Sequence, residues 1–409
     1  MERTILHCDL NNFYASCECM MDPELRDKPV AVCGSVEERH GIVLAKNYHA
    51  KKYGVSTAEP VWQAKAKCPN LVIVPPRFDL YVKYSKIVKG IYTDYTDKVE
   101  SFGLDECWLD ISGRNITEKE GFLIADEIRE RVKRETGLTI SVGVSFNKVF
   151  AKLGSDMKKP DAVTVITREG FRDQIWSLPA SYLLGVGRKT KKVLDKYCID
   201  TIGKIAAMPK EFFEGRMGKS GVQLWRYANG EDTSAVTETD RYIPAKSFGH
   251  GTTTPKDLTD GDAVWAVMLH LTQDIGRSLR INGQKASGVS VMIRDCKLVH
   301  KQWQCKLPIP TGSSLNIAKA AFALFSNSYG WENPLRSVTV TAINLVSASA
   351  PVQTNLFDDT REFERVERME ECAWTVKERF GINSIMPAAL LGKDNEKVPE
   401  MKTFLLGGW

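Results

Sequence analysis

The chain reads as an α+β multidomain protein. Three features carry that reading. It has 409 residues, more than one hydrophobic core usually holds. A strand, hairpin, helix, strand order fills the first part of the chain. A second helix-and-strand pattern follows a polar stretch at residues 230–246.

The elements justify this in order. Residues 4–9 read as a buried strand that runs into Asp9, Asn11, Asn12, Phe13 and Tyr14. An aspartate at a strand end serves as a turn residue, a helix cap or a metal ligand, and the local stretch leaves all three open. Val30–Cys33 and Ile42–Leu44 are short strands, and a helix is expected at Asn47–Tyr53. Leu123, Ile124, Ile128 and Val132 recur at helical spacing within Lys119–Thr136. Leu138, Ile140, Val142 and Val144 then alternate with small or polar residues, which predicts a half-buried strand in a sheet with helices on one face. A helical region starts near Leu178. The segment Gly230–Lys246 has no apolar period and reads as a linker. Beyond it, Val264, Val267, Met268, Leu271, Ile275 and Leu279 mark a helix, and Val289–Ile293 and Val338–Ala342 mark strands of a separate small α+β domain.

Composition narrows the class. Hydrophobic residues make up 43% and charged residues 26%, as in soluble globular proteins, and no run of eighteen apolar residues suggests a membrane span. The N-terminus lacks the pattern of a secretion signal. Ten cysteines without C-x-x-C spacing suggest reduced thiols of a cytoplasmic protein, with a zinc site as the alternative. The net charge of +5 is unevenly spread. Leu178–Arg226 holds ten Lys/Arg against four Asp/Glu, and Arg241–Leu345 holds twelve against six, each a net of +6. Residues from Asp358 onward hold eight against eleven, a net of −3. Two basic modules suggest a polyanionic partner.

The stretch Ser101–Asp110 places Asp105 and Glu106 side by side among Phe102, Leu104, Trp108 and Leu109. Neighbours on a regular strand face opposite ways, so both carboxylates serve one site only if the backbone turns there, and Gly103 makes a turn plausible. Two carboxylates among aromatic residues repel each other and lose hydration, and a bound dication compensates both costs. With Asp9 they make three carboxylates, a set able to hold two Mg²⁺ ions about 4 Å apart for in-line phosphoryl transfer. A plain surface turn at Asp105-Glu106 is the other reading.

Together, "DLNNFYAS" (residues 9–16), "KNYHAKKYGV" (46–55), "GLDECWLD" (103–110) and "SVGVSFNKVFAKLGSDMKKPDA" (141–162) resemble, in order and spacing, the motifs of Y-family translesion DNA polymerases. The likeness covers residues 1–357 and lies nearest to the bacterial polymerase IV and V branches. It implies a right-hand polymerase: palm at 1–18 and 78–168, fingers at 19–77, helical thumb with a hairpin-helix-hairpin at 169–230, linker at 231–246, and α+β little finger at 247–346. A clamp-binding peptide at 347–358 and a helical tail at 359–409 would follow. The resemblance further implies that Asp9 and Asp105 bind both Mg²⁺ ions, with Glu106 and the carbonyl of Leu10 as further ligands. Tyr48, Lys51 and Lys159 would grip the dNTP triphosphate, joined by backbone N–H groups of Asn11, Asn12 and Phe13. Tyr14 would be the steric gate against a ribose 2′-hydroxyl, with Phe13 packed behind it. Two positions depart from the branch: Lys51 stands where Arg is usual, a point charge in place of a fork, and Ala45 replaces a common hydroxyl residue.

Gly185-Val186-Gly187 followed by Lys189, Lys191 and Lys192 suits phosphate-directed binding of primer-template DNA, with an ordinary glycine turn as the bland reading. Gln353, Leu356 and Phe357 resemble the Q-x-x-L-F peptide that bacterial polymerases insert into the sliding clamp (beta subunit). Past it, Phe363, Val366, Met369, Ala373, Val376 and Phe380 show near-heptad spacing before Gly381. A packing helix is expected there, and a docking site for an accessory protein is the other reading. The expected function is DNA synthesis past damaged bases. No stretch is left over for a proofreading exonuclease domain. The rivals are a nucleotide cyclase, which uses a similar palm, and a catalytically weak polymerase-like DNA-binding scaffold in repair. The clamp peptide and the glycine hairpin argue against the first, and the intact carboxylates against the second.

Overall fold

The computed structural model describes residues 3–37, 39–114, 116–239, 244–351, 360–381, 384–390 and 404–406. The chain divides into two compact units, one within residues 1–242 and one essentially comprising residues 243–408.

The first unit opens with β1 (Ile5–Leu10), wholly buried, and α1 (Phe13–Met21). Asn12 turns the chain between them in the left-handed region (φ 50°), which asparagine tolerates better than most residues. A small sheet follows, with strand order β3-β2-β4: β2 (Val30–Cys33), β3 (Val43–Lys46) and β4 (Val72–Val74). Between these strands lie α2 (Tyr48–Lys52), capped by the Asn47 side chain, and α3 (Val61–Lys67). Next come α4 (Phe78–Thr93), β5 (Val99–Ser101), β6 (Glu106–Asp110), α5 (Glu118–Thr136), β7 (Ile140–Ser145), α6 (Lys148–Met157) and β8 (Val163–Ile166). The main sheet runs β5-β6-β1-β7-β8, with β1 central and antiparallel to both β6 and β7.

Two expectations about this sheet are corrected. All six residues of β7 are buried, so it is not half-buried, and helices cover both faces. On one face Tyr81, Val88 and Ile91 of α4 and Ala125, Ile128 and Val132 of α5 pack on Leu6, Cys8, Leu109 and Val142. On the other face α6 lies directly on β7. Gly143 permits this approach, because a Cβ there would sit 1.9 Å from the Ala151 carbonyl oxygen.

A helical segment completes the unit: α7 (Phe171–Ile175), α8 (Arg188–Asp195), α9 (Ile202–Ala207) and α10 (Lys210–Ala228), the last broken at Gly218 (φ 59°). Residues 231–239 form no helix or strand but lie pinned along the main sheet. Val236 is buried with Ile5, Trp108 and Ala151, and the Thr237 N–H donates to Glu100 (2.8 Å).

The second unit holds β9 (Ser247–Leu258), α11 (Gly261–Ile281), β10 (Gln284–Asp295), β11 (His300–Thr311), α12 (Ser314–Ser328), β12 (Leu335–Ser347), α13 (Thr360–Phe380) and β13 (Phe404–Leu406). The strand order is β11-β10-β12-β9-β13. The six apolar residues expected on α11 are all buried against β10 and β12. The expected strands prove longer, and β9 and β11 are additional. The tail helix α13 docks within this unit through a mixed polar face. The Glu370 carboxylate accepts from the Ser314 and Leu315 N–H groups (both 2.9 Å), the Glu367 carboxylate accepts from Thr311 and Lys285 (both 3.0 Å), and Arg277 and Arg280 lie over the Trp374 ring. Met369 and Phe380, read as part of an apolar seam, are exposed instead. Among the described residues no helix is long and apolar enough to cross a membrane.

Candidate active site

The pairing of β1 with β6 sets Asp9 directly opposite Glu106. Asp105 precedes β6 in the hairpin after β5, where Gly103 takes a positive φ of 92°. The Leu10 N–H donates to the Asp105 carbonyl (3.0 Å), so the end of β1 is tied to the hairpin. The turn that two adjacent carboxylates require is therefore present, and Asp9, Leu10, Asp105 and Glu106 gather at one corner of the sheet.

Lysines from α6 and the segment after it balance these charges. Lys159 Nζ donates to Asp9 Oδ2 (2.7 Å) and also pairs with Asp156 (2.9 Å), while Lys152 pairs with Glu106. Burial pushes the Asp9 carboxyl up to about 6 despite Lys159. Asp105 is also raised, first by burial and then by the charge of Glu106. Burial would raise Glu106 too, but His7 and Lys152 hold it down at about 2. His7 is fully buried. Its Nδ1 lies 2.8 Å from Ser155 Oγ, and its Nε2 lies 3.2 Å from Glu106 Oε2.

The remaining expected residues fall as follows. Tyr48 lies on α2 within electrostatic reach of Lys159 and Asp9: burial raises its phenol, and Lys159 opposes the rise. Lys51 sits over the Tyr48 ring at 5.6 Å. Asn11 is corrected. Its N–H is already committed to the Thr139 carbonyl (2.9 Å), because β1 and the chain entering β7 stay paired to that point. Its side chain donates to Ser141 Oγ (3.0 Å) and accepts from the Asp161 N–H (2.9 Å). Asn11 therefore braces the turn. Asn12 and Phe13 stand at the start of α1, which has no side-chain cap.

Phe13 is buried in the core, whereas Tyr14 is only partly covered. The ring lying flat against Tyr14 belongs to Tyr81, with centroids 4.3 Å apart and planes 9° apart. Phe13 meets Tyr14 at a tilt, at 5.6 Å. Sequence reasoning missed Tyr81, Lys152, His7 and Ser155. For His7 a signal was available, since it stands two residues before Asp9 on the same strand face.

Away from this corner, Gly185 (φ 93°) and Gly187, the residue before α8, have open space around them. Lys189, Lys191 and Lys192 are exposed on α8, Lys191 pairing with Asp195 at 2.8 Å. Gln353, Leu356 and Phe357 lie outside the described residues.

Comparison with known proteins bears on the whole chain. Residues 8–156 match the sequence model of the impB/mucB/samB family, and residues 245–356 match that of the family's C-terminal domain. A DNA polymerase IV of Acetivibrio thermocellus is 51% identical over 96% of this chain and 98% of its own length. DNA polymerase IV 1 of Bacillus subtilis is 35% identical over 97% of this chain and 95% of its own. Among solved structures, a Y-family DNA polymerase chimera (Dbh-Dpo4(243-245)-Dbh) superposes with a TM-score of 0.75 at 23% identity, covering 84% of this chain and 99% of that one, a likeness of fold.

Proposed function

The chain belongs to the Y-family DNA polymerases, and from that membership we propose that it copies damaged DNA templates by metal-assisted nucleotidyl transfer at the Asp9–Asp105–Glu106 corner. One observation supports the reading of the site: the strand register sets Asp9 opposite Glu106, with Asp105 in the hairpin just before it and Lys159 and Lys152 as the cations beside them.

The donor chemistry suits hard dications, although among the described residues no three such side chains already stand as a metal-holding group. All the ligands are oxygen atoms, and burial disfavours the charges of Asp9 and Asp105 when no further cation is present. Asp9, Asp105, Glu106 and the Leu10 carbonyl would hold two Mg²⁺ ions. Bound there, the ions supply neutralisation of phosphate charge and activation of the primer 3′-hydroxyl. The chain's own groups do the rest. His7 and Lys152 hold the Glu106 carboxyl well below its ordinary value. Lys159 is held near Asp9, and it would pair with the triphosphate together with Tyr48 and Lys51. Uncapped N–H groups at the start of α1 add donors toward phosphate. Tyr14 closes the sugar side of the site, where a 2′-hydroxyl would meet its ring.

The thumb hairpin and little finger would bind DNA through phosphates, and the peptide at 353–357 would bind a sliding clamp. Extension of a primer across an undamaged and an abasic template is the test. Synthesis should occur with Mg²⁺, stop on chelation and return on re-addition. Extension that persists after chelation would sink the metal assignment.

A further inference from the structure

Tyr14 and Glu18 lie four residues apart on α1, and Arg77 and Tyr81 lie four apart at the start of α4, so each pair shares one helix face. The two pairs interlock. The Tyr81 hydroxyl donates to Glu18 Oε1 (2.6 Å), and Arg77 reaches the same oxygen through Nε (3.2 Å) and the other oxygen through Nη2. The Glu18 side chain is only 2% exposed, so a buried carboxylate is held by a forked guanidinium and a phenol. Tyr81, fully buried, presents its ring flat to Tyr14, and Phe78 stands edge-on to both rings at 6.0 and 5.9 Å.

We propose that the Glu18–Arg77 pair is a positioning element for sugar selection, fixing Tyr81 so that the Tyr14 ring cannot retreat from an incoming ribose. The inference rests on the reading of Tyr14 as the gate. A steric gate discriminates only as far as its ring resists displacement, and a shift of about 1 Å would make room for a hydroxyl. Backing the ring with an aromatic face supplies resistance, but that face must itself be anchored. An ion pair built on a buried carboxylate is a poor source of net stability and a good source of fixed geometry. Here its directional bonds end on the phenol that carries the stack.

The test is single-nucleotide insertion with matched rNTP and dNTP, read as the ratio of their kcat/KM values. Tyr81→Phe keeps the ring and removes its anchor. Glu18→Gln removes the charge that Arg77 grips. Arg77→Lys, at a half-exposed position that does not threaten folding, keeps the charge and loses the fork. Tyr81→Phe and Glu18→Gln should raise the rNTP/dNTP ratio roughly threefold to tenfold, with Arg77→Lys between them and the parent. Tyr14→Ala should raise it further. A merely structural role would lower both activities together and leave the ratio alone. An unchanged ratio in all three anchor variants, with a raised ratio in Tyr14→Ala, overturns the proposal and leaves the gate standing. An unchanged ratio in Tyr14→Ala as well removes the gate, and the anchor with it.

Discussion

Asp9 is buried, ionisable and paired to a single lysine, and burial outweighs that lysine, so its carboxyl titrates at about 6. A folded-state value above the unfolded one means a stabilising proton, fully present at acid pH and lost as pH rises through about 6. Glu106 runs the other way. Held at about 2, its contribution is full above the ordinary value of 4.5 and is lost as pH falls through about 2, so the two groups favour the fold at opposite ends of the acid range. A divalent ion bound by Asp9, as proposed, would have to displace that proton. Mn²⁺ binding by the DNA-bound protein, followed by electron paramagnetic resonance, should therefore tighten about tenfold per pH unit below that titration and level off above it. Equal affinities at pH 5 and pH 7 would mean that Asp9 is not the group that binds. The three carboxylates were legible in the sequence through the order and spacing of the family motifs, since the local stretches alone left a turn residue at Asp9 and a surface turn at Asp105-Glu106 open. Tyr81 and Lys152 were not, because each lies on a helix that reads as ordinary amphipathic sequence and reaches the site only through packing. Asn11 looked like a donor because the end of β1 was placed one residue too early to show its pairing.

Among the elements, β7 shows how a local pattern misleads. Its alternation of apolar with small residues signals one solvent face, yet Ser141, Gly143 and Ser145 face α6, and small residues are what let that helix approach. Gly143→Ala should cost at least about 1–3 kcal/mol in chemical denaturation, because a methyl group cannot fit against the Ala151 carbonyl without moving α6. Polymerase activity should fall further than stability, since α6 carries Lys152 and Ser155. A neutral substitution would mean that α6 is not seated as described. Strand β11 carried a readable signal in Lys301, Trp303, Cys305, Leu307 and Ile309 at period two, whereas β9, with two glycines, four hydroxyl residues and a proline, offered little. For α13 the apolar spacing gave the helix and its stop at Gly381, but its docking face is set by Glu367, Glu370 and Trp374, and hydrophobicity alone does not reveal polar docking.

At the scale of the molecule, the order of motifs foretold more than any single element did. The division into two compact units falls close to the expected polar segment, although residues 231–239 are pinned to the first unit and are not a loose tether. The clamp proposal concerns Gln353, Leu356 and Phe357. Replacing Leu356 and Phe357 by alanine should leave distributive synthesis intact and remove stimulation by a bacterial sliding clamp, and undiminished clamp binding in a titration would locate the anchor elsewhere. The central claim is that catalysis resides in the carboxylate corner and not in the surfaces that bind DNA. The most direct measurement is primer extension by Asp105→Ala and Glu106→Ala, with primer-template affinity measured in parallel. The account predicts extension reduced by at least about a thousandfold in both, with DNA affinity within about twofold of the parent and the same steep salt dependence. Full extension in both variants would contradict it.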